Sequence, residues 1–198
     1  AQEVLREVES LGSQAFLARG DLSDFASLTT VTSDFLRIFG RVDILVNNAA
    51  RYDRIPFPTV SLDDWQKTLD LNLRAPFFLA QGLAPSMVAQ GSGVIINVSS
   101  DAAYLAIKDT GIEYGISKAG LDALTRSLAS TLAPHIRVNG IAPGYTLTGF
   151  SSVSNPVQRM KIESELPLRR INTSEDIAHL AVFLASEKSK GITGQTFV

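Results

Sequence analysis

The sequence predicts an α/β fold of the doubly wound kind, a parallel sheet with helices on both faces, and three observations support it. Apolar runs that end in small or polar residues alternate with longer segments in which apolar residues recur at helical spacing. The runs DILV, GVIINV and IRVNGI are apolar on successive residues, which is typical of strands covered on both faces. Of the 198 residues 45% are apolar, enough for one core, and we expect a single domain over 1–198.

Residues that end helices or favour turns separate the predicted elements. Gly12 and Gly40 each follow a helical segment, where a left-handed glycine closes a helix, and Ser23 can cap the second helix. After Gly144 the chain becomes rich in Ser, Thr and Gly, which we interpret as a mobile loop or lid. The predicted elements are, in order, helix 4–11, strand 15–18, helix 24–39, strand 42–46, helix 62–89, strand 94–98, helix 114–133, strand 136–139, helix 174–186 and a last strand that reaches Val198.

The charge balance and the lack of cysteine argue against several classes of function. Lys and Arg number 18 against 20 Asp and Glu, a net charge of −2, and no basic run offers the surface that nucleic acids or anionic membranes bind. The chain has no cysteine and two scattered histidines, His135 and His179, so we expect neither a disulfide nor a metal site. No segment has the apolar length of a membrane span, and we expect a cytoplasmic protein.

Small or polar residues directly follow the apolar runs. In an open parallel sheet, ligands bind beyond the carboxyl ends of the strands, so these positions predict a binding site. Turns favour Asn, Ser, Pro and Gly, which explains any one position alone but explains the complete set poorly. The residues are Asp21, Asn47, Asn48, Ser99, Ser100, Pro143 and Gly144.

Tyr114 and Lys118 lie four residues apart in a predicted helix, so their side chains share one face and can reach one site. An ammonium group close to a phenol favours the phenolate, and we expect Lys118 to lower the pKa of Tyr114 from its usual value of about 10. A phenol of this kind can exchange a proton with a substrate hydroxyl. Taken alone the spacing is common, and a tyrosine and a lysine four residues apart usually form a solvated helix face.

Several motifs lie at the predicted strand ends and in the helix of Tyr114. They are NNAA at 47–50, NVSS at 97–100, YGISKAG at 114–120 and PGYTLT at 143–148, together with LNLRAPF around Asn72 and the terminal ITGQTFV. In order and approximate spacing they resemble the classical short-chain dehydrogenases/reductases over nearly the whole chain. The resemblance implies a Rossmann-like α/β domain that interconverts a secondary alcohol and a ketone by hydride transfer, with NAD or NADP as cofactor.

The same resemblance implies four catalytic residues. Tyr114 is the general acid/base, and Lys118 modifies its pKa and anchors the cofactor ribose. Ser100, the second serine of its motif, holds and polarises the substrate oxygen. Asn72 interrupts the long helix and holds a water that connects the lysine to solvent.

The cofactor-binding residues are implied in the same way and include Tyr114 and Lys118. Asp21 can equally be a plain residue at a helix entrance, where Asp is favoured. A glycine in the nicotinamide turn lets the chain approach the cofactor closely. The further implied contacts are Asp21 and Leu22 at the adenine ring, Asn48 and Ala49 beside the adenosine ribose, and Pro143, Gly144, Thr146 and Thr148 around the nicotinamide amide.

The sequence departs from the family pattern at its beginning and at Ala50. The family opens with a strand and a glycine-rich turn that holds the pyrophosphate, whereas the GSG at 91–93 precedes a strand and reads as a helix-to-strand turn. We therefore expect the chain to be part of a protein of about 250 residues, an ordinary domain length. Ala50 replaces the usual last glycine of NNAG. In the family, the residue that selects NAD or NADP follows the second strand, which the resemblance places before this chain.

The resemblance also implies a homotetramer and a small-molecule substrate. Helices 62–89 and 114–133 would pair across subunits, unless their apolar faces belong to the intramolecular core. The substrate pocket would be built from Asp101, Tyr104, Tyr145, Phe150 and the serine-rich segment.

The sequence leaves three alternatives to this function. A non-catalytic dinucleotide-binding or structural relative of the same fold is the principal one. Dehalogenases of this fold carry an arginine in place of Lys118, and epimerase-like relatives usually carry a larger substrate domain than the remaining chain allows.

Overall fold

A parallel sheet with helices packed on it forms the fold, in a computed structural model that describes residues 2–105, 111–148 and 155–198. The strands are β1 (Ile44–Asn47), β2 (Gly93–Val98), β3 (Ile136–Ile141) and β4 (Thr196–Phe197), and they lie side by side in that order. The helices are α1 (Gln2–Ser10), α2 (Phe25–Phe39), α3 (Leu62–Leu69), α4 (Ala75–Ala89), α5 (Ile112–Leu132), α6 (Pro156–Glu165) and α7 (Ser174–Ala185). The predicted α/β class is confirmed.

Helices cover both faces of β2 and β3, as their unbroken apolar runs predict. On one face, Ile95 and Val138 are fully buried against Met87 of α4 and Ala129 of α5. On the other face, Ile96 packs with Leu184 of α7, together with Val94 and Ile141. No helix among the described residues is long and apolar enough to cross a membrane.

The DILV run forms strand β1 as predicted, but the expected cover on both of its faces and the strand at 15–18 are wrong in this structure. Ile44 and Val46 of β1 are 46% and 47% exposed, and in the described part of the chain no strand pairs with the outer side of β1. Residues 15–18 form no strand, and Phe16 instead packs edge-on against Phe35 of α2, with ring centroids 5.9 Å apart. A strand depends on hydrogen bonds to a neighbour, so an apolar run is not sufficient to form one.

The helix ends follow the predicted glycines, but one cap differs. Gly12 and Gly40 have φ of +82° and +71°, the left-handed conformation expected at these two positions. The cap of α2 is Asp24, whose carboxylate accepts a hydrogen bond from the Ser27 amide at 3.0 Å. Ser23, the predicted cap, donates its hydroxyl to Asp21 instead.

The long helix predicted over 62–89 is interrupted in the middle. A π-helical turn at Asp70–Arg74 separates α3 from α4, and Asn72 lies fully buried within it. Turns of this kind widen a helix locally and are frequent at functional sites. The GSG at 91–93 connects α4 to β2 with Gly91 at φ +78°, which confirms the helix-to-strand turn. Residues 149–154 of the predicted lid lie outside the described part of the chain.

Candidate active site

Buried amide side chains connect the strand ends beneath the site. Asn47 and Asn97 are register partners in β1 and β2, and the Asn47 Nδ2 donates to the Asn97 Oδ1 at 2.8 Å. The Asn97 Nδ2 donates in turn to the Thr125 hydroxyl of α5, also at 2.8 Å. These bonds hold the carboxyl ends of the two strands level and attach α5 to them.

Ser100 follows β2 and begins a short 3-10 turn at Asp101–Ala103. Its side-chain Oγ accepts a hydrogen bond from the Ala102 amide at 3.2 Å and donates to the Asp101 carboxylate at 3.1 Å. Ser99 points away from this turn, and its hydroxyl donates to the carbonyl of Lys118 at 3.2 Å. Ser100 is therefore the serine that lies in the turn beside Asp101, and its contact with a substrate stays a prediction.

Tyr114 and Lys118 are brought together on α5. The Lys118 side chain is 2% exposed, its Nζ lies 5.6 Å from the centroid of the Tyr114 ring, and it donates to the Val98 carbonyl at 2.7 Å. Gly115 lets α5 approach the turn that carries Ser100, because a Cβ at this position would lie 3.0 Å from the Ala102 carbonyl oxygen. The shared face predicted from the spacing is thus present.

The expected effect of Lys118 on Tyr114 is wrong in this structure. Burial raises the pKa of Tyr114, and the Tyr52 and Asp101 side chains raise it further, while a hydrogen bond with Ser100 lowers it. The ammonium lies over the face of the ring and bonds a backbone carbonyl, so it does not offset the loss of water. Burial also lowers the pKa of Lys118 to about 8, and Asp122 opposes that shift.

Asn72 is a linking residue between the loop after β1 and α5. Its Oδ1 accepts from the Arg51 amide at 2.7 Å, and its Nδ2 donates to the Arg51 carbonyl at 2.9 Å and to the Ser117 hydroxyl at 3.0 Å. Ser117 donates to the Tyr114 carbonyl at 2.7 Å. Asn72 therefore positions the helix of the candidate acid/base, and its link to a water stays a prediction.

Tyr52 is a site residue that the sequence did not single out. Its ring packs on Tyr114 with centroids 4.7 Å apart and an angle of 51°, and Arg54 donates to its hydroxyl at 3.2 Å. The loop is held by Arg51, whose guanidinium bonds both Asp53 and Asp64. Its position in the sequence could have identified it, because Tyr52 closely follows Asn47 at a strand end where ligand contacts are expected.

The residues predicted at the adenosine half of the cofactor lie on the surface. Asp21 is exposed, and its carboxylate accepts from the Ser23 amide at 2.9 Å and from the Ser23 hydroxyl at 2.6 Å, which lowers its pKa. Leu22 is partly buried, whereas Asn48 and Ala49 are exposed directly after β1. The Asp21 side chain thus has a local turn contact, and the contacts of these residues with a cofactor stay predictions.

The turn after β3 lies next to Ser100. The Pro143 carbonyl accepts from the Asp101 amide at 3.1 Å, and a Cβ at Gly144 would lie 3.2 Å from the Asp101 carboxylate. Thr146 donates to the Gly144 carbonyl at 3.1 Å and forms a parallel bridge with Asn172. Thr148 is exposed. The predicted nicotinamide turn is therefore adjacent to the turn that carries Ser100, and its contacts with a cofactor stay predictions.

The predicted substrate pocket is described in part. Tyr104 and Tyr145 are 50% and 42% exposed, and Asp101 is partly buried beside Ser100. Burial raises the pKa of Asp101, and its hydrogen bond with Ser100 opposes that effect. Phe150 lies outside the described residues.

A dinucleotide fits the edge formed by these strand ends. The loop after β1 presents exposed backbone at Asn48 and Ala49, and Gly144 leaves space that a Cβ would fill against Asp101. An ammonium has three N–H donors, so Lys118 retains capacity for a ribose hydroxyl beside its bond to Val98.

Comparisons with known proteins agree with this geometry. The family model described as enoyl-(acyl carrier protein) reductase matches residues 1–198. The 3-oxoacyl-[acyl-carrier-protein] reductase FabG of Chlamydia pneumoniae is 36% identical over 198 residues, which cover 100% of this chain and 79% of the relative. The 7alpha-hydroxysteroid dehydrogenase of Escherichia coli K12 is 37% identical over 200 residues, covering 98% and 76%.

Solved structures are similar over the same span. A 7alpha-hydroxysteroid dehydrogenase complexed with NADH and 7-oxo glycochenodeoxycholic acid superposes with a TM-score of 0.93 at 37% identity, covering 100% of this chain and 77% of that one. A gluconate 5-dehydrogenase from Burkholderia cenocepacia in complex with NADP and tartrate superposes with a TM-score of 0.91 at 32% identity, covering 99% and 78%. The chain therefore belongs to the short-chain dehydrogenase/reductase family of NAD(P)-dependent oxidoreductases.

Proposed function

We propose that the chain interconverts a secondary alcohol and a ketone, with Tyr114 as general acid/base and residues 1–198 as one dinucleotide-binding domain. The observation that supports this most is the convergence of Ser100, Tyr114 and Lys118 at the carboxyl end of the sheet. Relatives of similar fold are solved with NADH and with NADP, so NAD or NADP is the cofactor.

The reduction of a ketone uses Tyr114 as proton donor. Burial raises its pKa, so the phenol holds its proton at neutral pH and can deliver it to the carbonyl oxygen as charge develops there. The Ser100 hydroxyl donates to Asp101 in the absence of substrate, and rotation of this hydroxyl would direct its single hydrogen to the same oxygen. The bound nicotinamide supplies the hydride.

The oxidation of an alcohol requires the phenolate, and Lys118 supports it. The ammonium over the Tyr114 ring attracts negative charge on that side chain without outweighing the effect of burial, and its remaining N–H donors would bind the ribose. Asn72 keeps α5 in place through Ser117. Further cofactor contacts come from Asp21, Leu22, Asn48, Ala49, Pro143, Gly144, Thr146 and Thr148.

The substrate is a small-molecule alcohol or ketone, and the protein acts as a cytoplasmic homotetramer. An apolar groove along α3 and α4 supports assembly, because Phe77 is 42% exposed there beside Leu69, Leu73 and Phe78. Light scattering with chromatography tests the assembly, and a monomeric mass contradicts it.

Oxidation of NAD(P)H across a panel of ketones tests the activity. We expect turnover by the wild type and a loss of roughly 10²- to 10⁴-fold in kcat for Tyr114→Phe, the usual contribution of a general acid. Fluorescence titration should show cofactor binding largely intact in that variant. Tyr52→Phe is the matched control, since it removes the hydroxyl next to Tyr114 and keeps the ring contact.

Two results would contradict the proposal. Near-normal turnover by Tyr114→Phe refutes the role of the phenol. Cofactor binding by the wild type with no turnover of any ketone favours the non-catalytic relative instead.

A further inference from the structure

Asp122 is a buried carboxylate with an incomplete set of partners. The residue is 2% exposed on α5, and its Oδ1 accepts from the Thr196 hydroxyl at 3.3 Å. Among the described residues, its Oδ2 receives no hydrogen bond. A carboxylate withdrawn from water is costly unless another charge balances it, so the surroundings of Asp122 call for a cation.

Lys118 lies one helical turn before Asp122 and is buried to the same extent, at 2% exposure. Residues four apart share a helix face, and side chains lean toward the helix N-terminus. Asp122 therefore lies on the helix face of Lys118, one turn further along, although no direct ion pair within 4.0 Å joins the two side chains. The groups that β2 places against Lys118 are uncharged, namely the Val98 carbonyl and the neighbouring Ser99.

We propose that Asp122 is the counter-charge of Lys118, a positioning residue that keeps the ammonium charged and directed at Tyr114 where water is excluded. This inference rests on the proposed function, because it assigns a source to the charge that the reaction needs. The proposed functional residues on this face of α5 are then Tyr114, Lys118 and Asp122, each one helical turn after the last.

The other groups near Lys118 and Asp122 do not provide the negative charge that would balance the ammonium. Thr196 of β4 bonds Asp122 as a neutral hydroxyl. Tyr104 is a second neutral partner, because a side-chain hydrogen bond with the same carboxylate adds to the effect of burial in raising the pKa of Tyr104. Arg126, one turn after Asp122, is exposed and its charge acts on Tyr104. Burial lowers the pKa of Lys118 and the Asp122 charge opposes it.

Titration of the lysine Nζ by nitrogen-15 NMR tests the proposal without turnover. The chain contains six lysines, and Lys118→Met assigns the signal of interest. Asp122→Asn should lower the pKa of Lys118 by about one unit, a shift typical of losing a near opposite charge. Thr196→Val removes one neutral partner of the same carboxylate and should leave the value nearly unchanged. An unchanged pKa in Asp122→Asn, or an equal shift in Thr196→Val, overturns the proposal.

A double-mutant cycle in the free energy of unfolding provides an independent measurement. Asp122→Asn should destabilise the wild type more than it destabilises Lys118→Met. In the wild type the substitution leaves a buried ammonium without its counter-charge, whereas Lys118→Met has no ammonium at this position. If Asp122→Asn alone does not fold, the double variant should still fold. Equal costs in both backgrounds, or failure of the double variant when Lys118→Met folds, overturns the pairing.

The pH profile of kcat connects the pair to catalysis. Asp122→Asn should move the high-pH limb to lower pH by the shift measured by NMR, with KM for the ketone unchanged, and Asp122→Glu should restore part of it. The NMR titration and the double-mutant cycle need no turnover. A negative result in either one therefore rejects only the role of Asp122 and leaves the proposed function standing. Absence of turnover in the wild type rejects the proposed function instead.

Discussion

The two halves of the strand-end edge are built differently. At the catalytic half, Ser100 and Lys118 are buried and hydrogen-bonded to backbone or neighbouring side chains. At the adenosine half, Asp21, Asn48 and Ala49 are exposed, and the Asp21 carboxylate serves a local turn. Proton transfer requires side chains held in one geometry, whereas exposed loops leave side chains free to vary. Substitutions should therefore be costly in the first half and mild in the second.

After Tyr114→Phe, the largest effect is expected at Ser100. Ser100→Ala removes the donor to the substrate oxygen, and loss of such a donor costs roughly 10²- to 10³-fold in kcat. Ser99→Ala is the matched control, because its hydroxyl already donates to the Lys118 carbonyl. Steady-state kinetics on both variants decides between the serines, and equal losses would contradict the assignment to Ser100.

Lys118 should make stability depend on pH. Its folded pKa of about 8 lies below the ordinary 10.5, so below pH 8 both states are charged and the burial cost is fully present. Between these values the unfolded chain holds more protons, and the free energy of unfolding of the wild type rises with pH.

Lys118→Met lacks this dependence on pH. Its free energy of unfolding minus that of the wild type should therefore fall by roughly 2 to 3 kcal/mol from about pH 7 to about pH 10, since only the wild type gains stability over this range. Urea unfolding at several pH values measures the difference. Lys67→Met, at an exposed lysine paired with Asp63, is the control and should show no such trend. A difference between wild type and Lys118→Met that stays constant with pH would contradict the buried charge.

Substitution of Asn72 tests how much the hydrogen bonds between the loop after β1 and α5 contribute to stability. Asn72→Ala leaves the Arg51 backbone and the Ser117 hydroxyl without partners, which should cost about 2 kcal/mol in the free energy of unfolding. Asn72→Asp keeps the acceptor for the Arg51 amide and loses the two donors. A destabilisation of Asn72→Ala within experimental error would show that the loop and α5 do not depend on this side chain.

The smallest effect is expected at Asp21. Asp21→Asn keeps an oxygen for the turn with Ser23 and should weaken cofactor binding only a few-fold, about 0.5 to 1 kcal/mol. Asp24→Asn, an exposed carboxylate three residues away that caps α2, should leave cofactor binding unchanged. Isothermal titration compares the two, and equal affinities in Asp21→Asn and wild type would remove Asp21 from the cofactor site.

The elements that were predicted correctly are those whose signal is local. GVIINV and IRVNGI form buried strands, and Gly12 and Gly40 end helices, because the pattern and the conformation are properties of the segment itself. Residues 15–18 have the same apolar character and form no strand, since pairing depends on a neighbour. Tyr52 was missed because only its packing against Tyr114 marks it as a site residue.

The sequence by itself determined the order of elements, the family, and the shared helix face of Tyr114 and Lys118, because spacing of four residues means the same in any α-helix. Only the tertiary structure decided their pKa directions. Burial by distant segments raises the pKa of Tyr114 and lowers that of Lys118, against the expectation from the pair alone. Loss of water depends on everything that packs around a charge, and no local pattern contains that information.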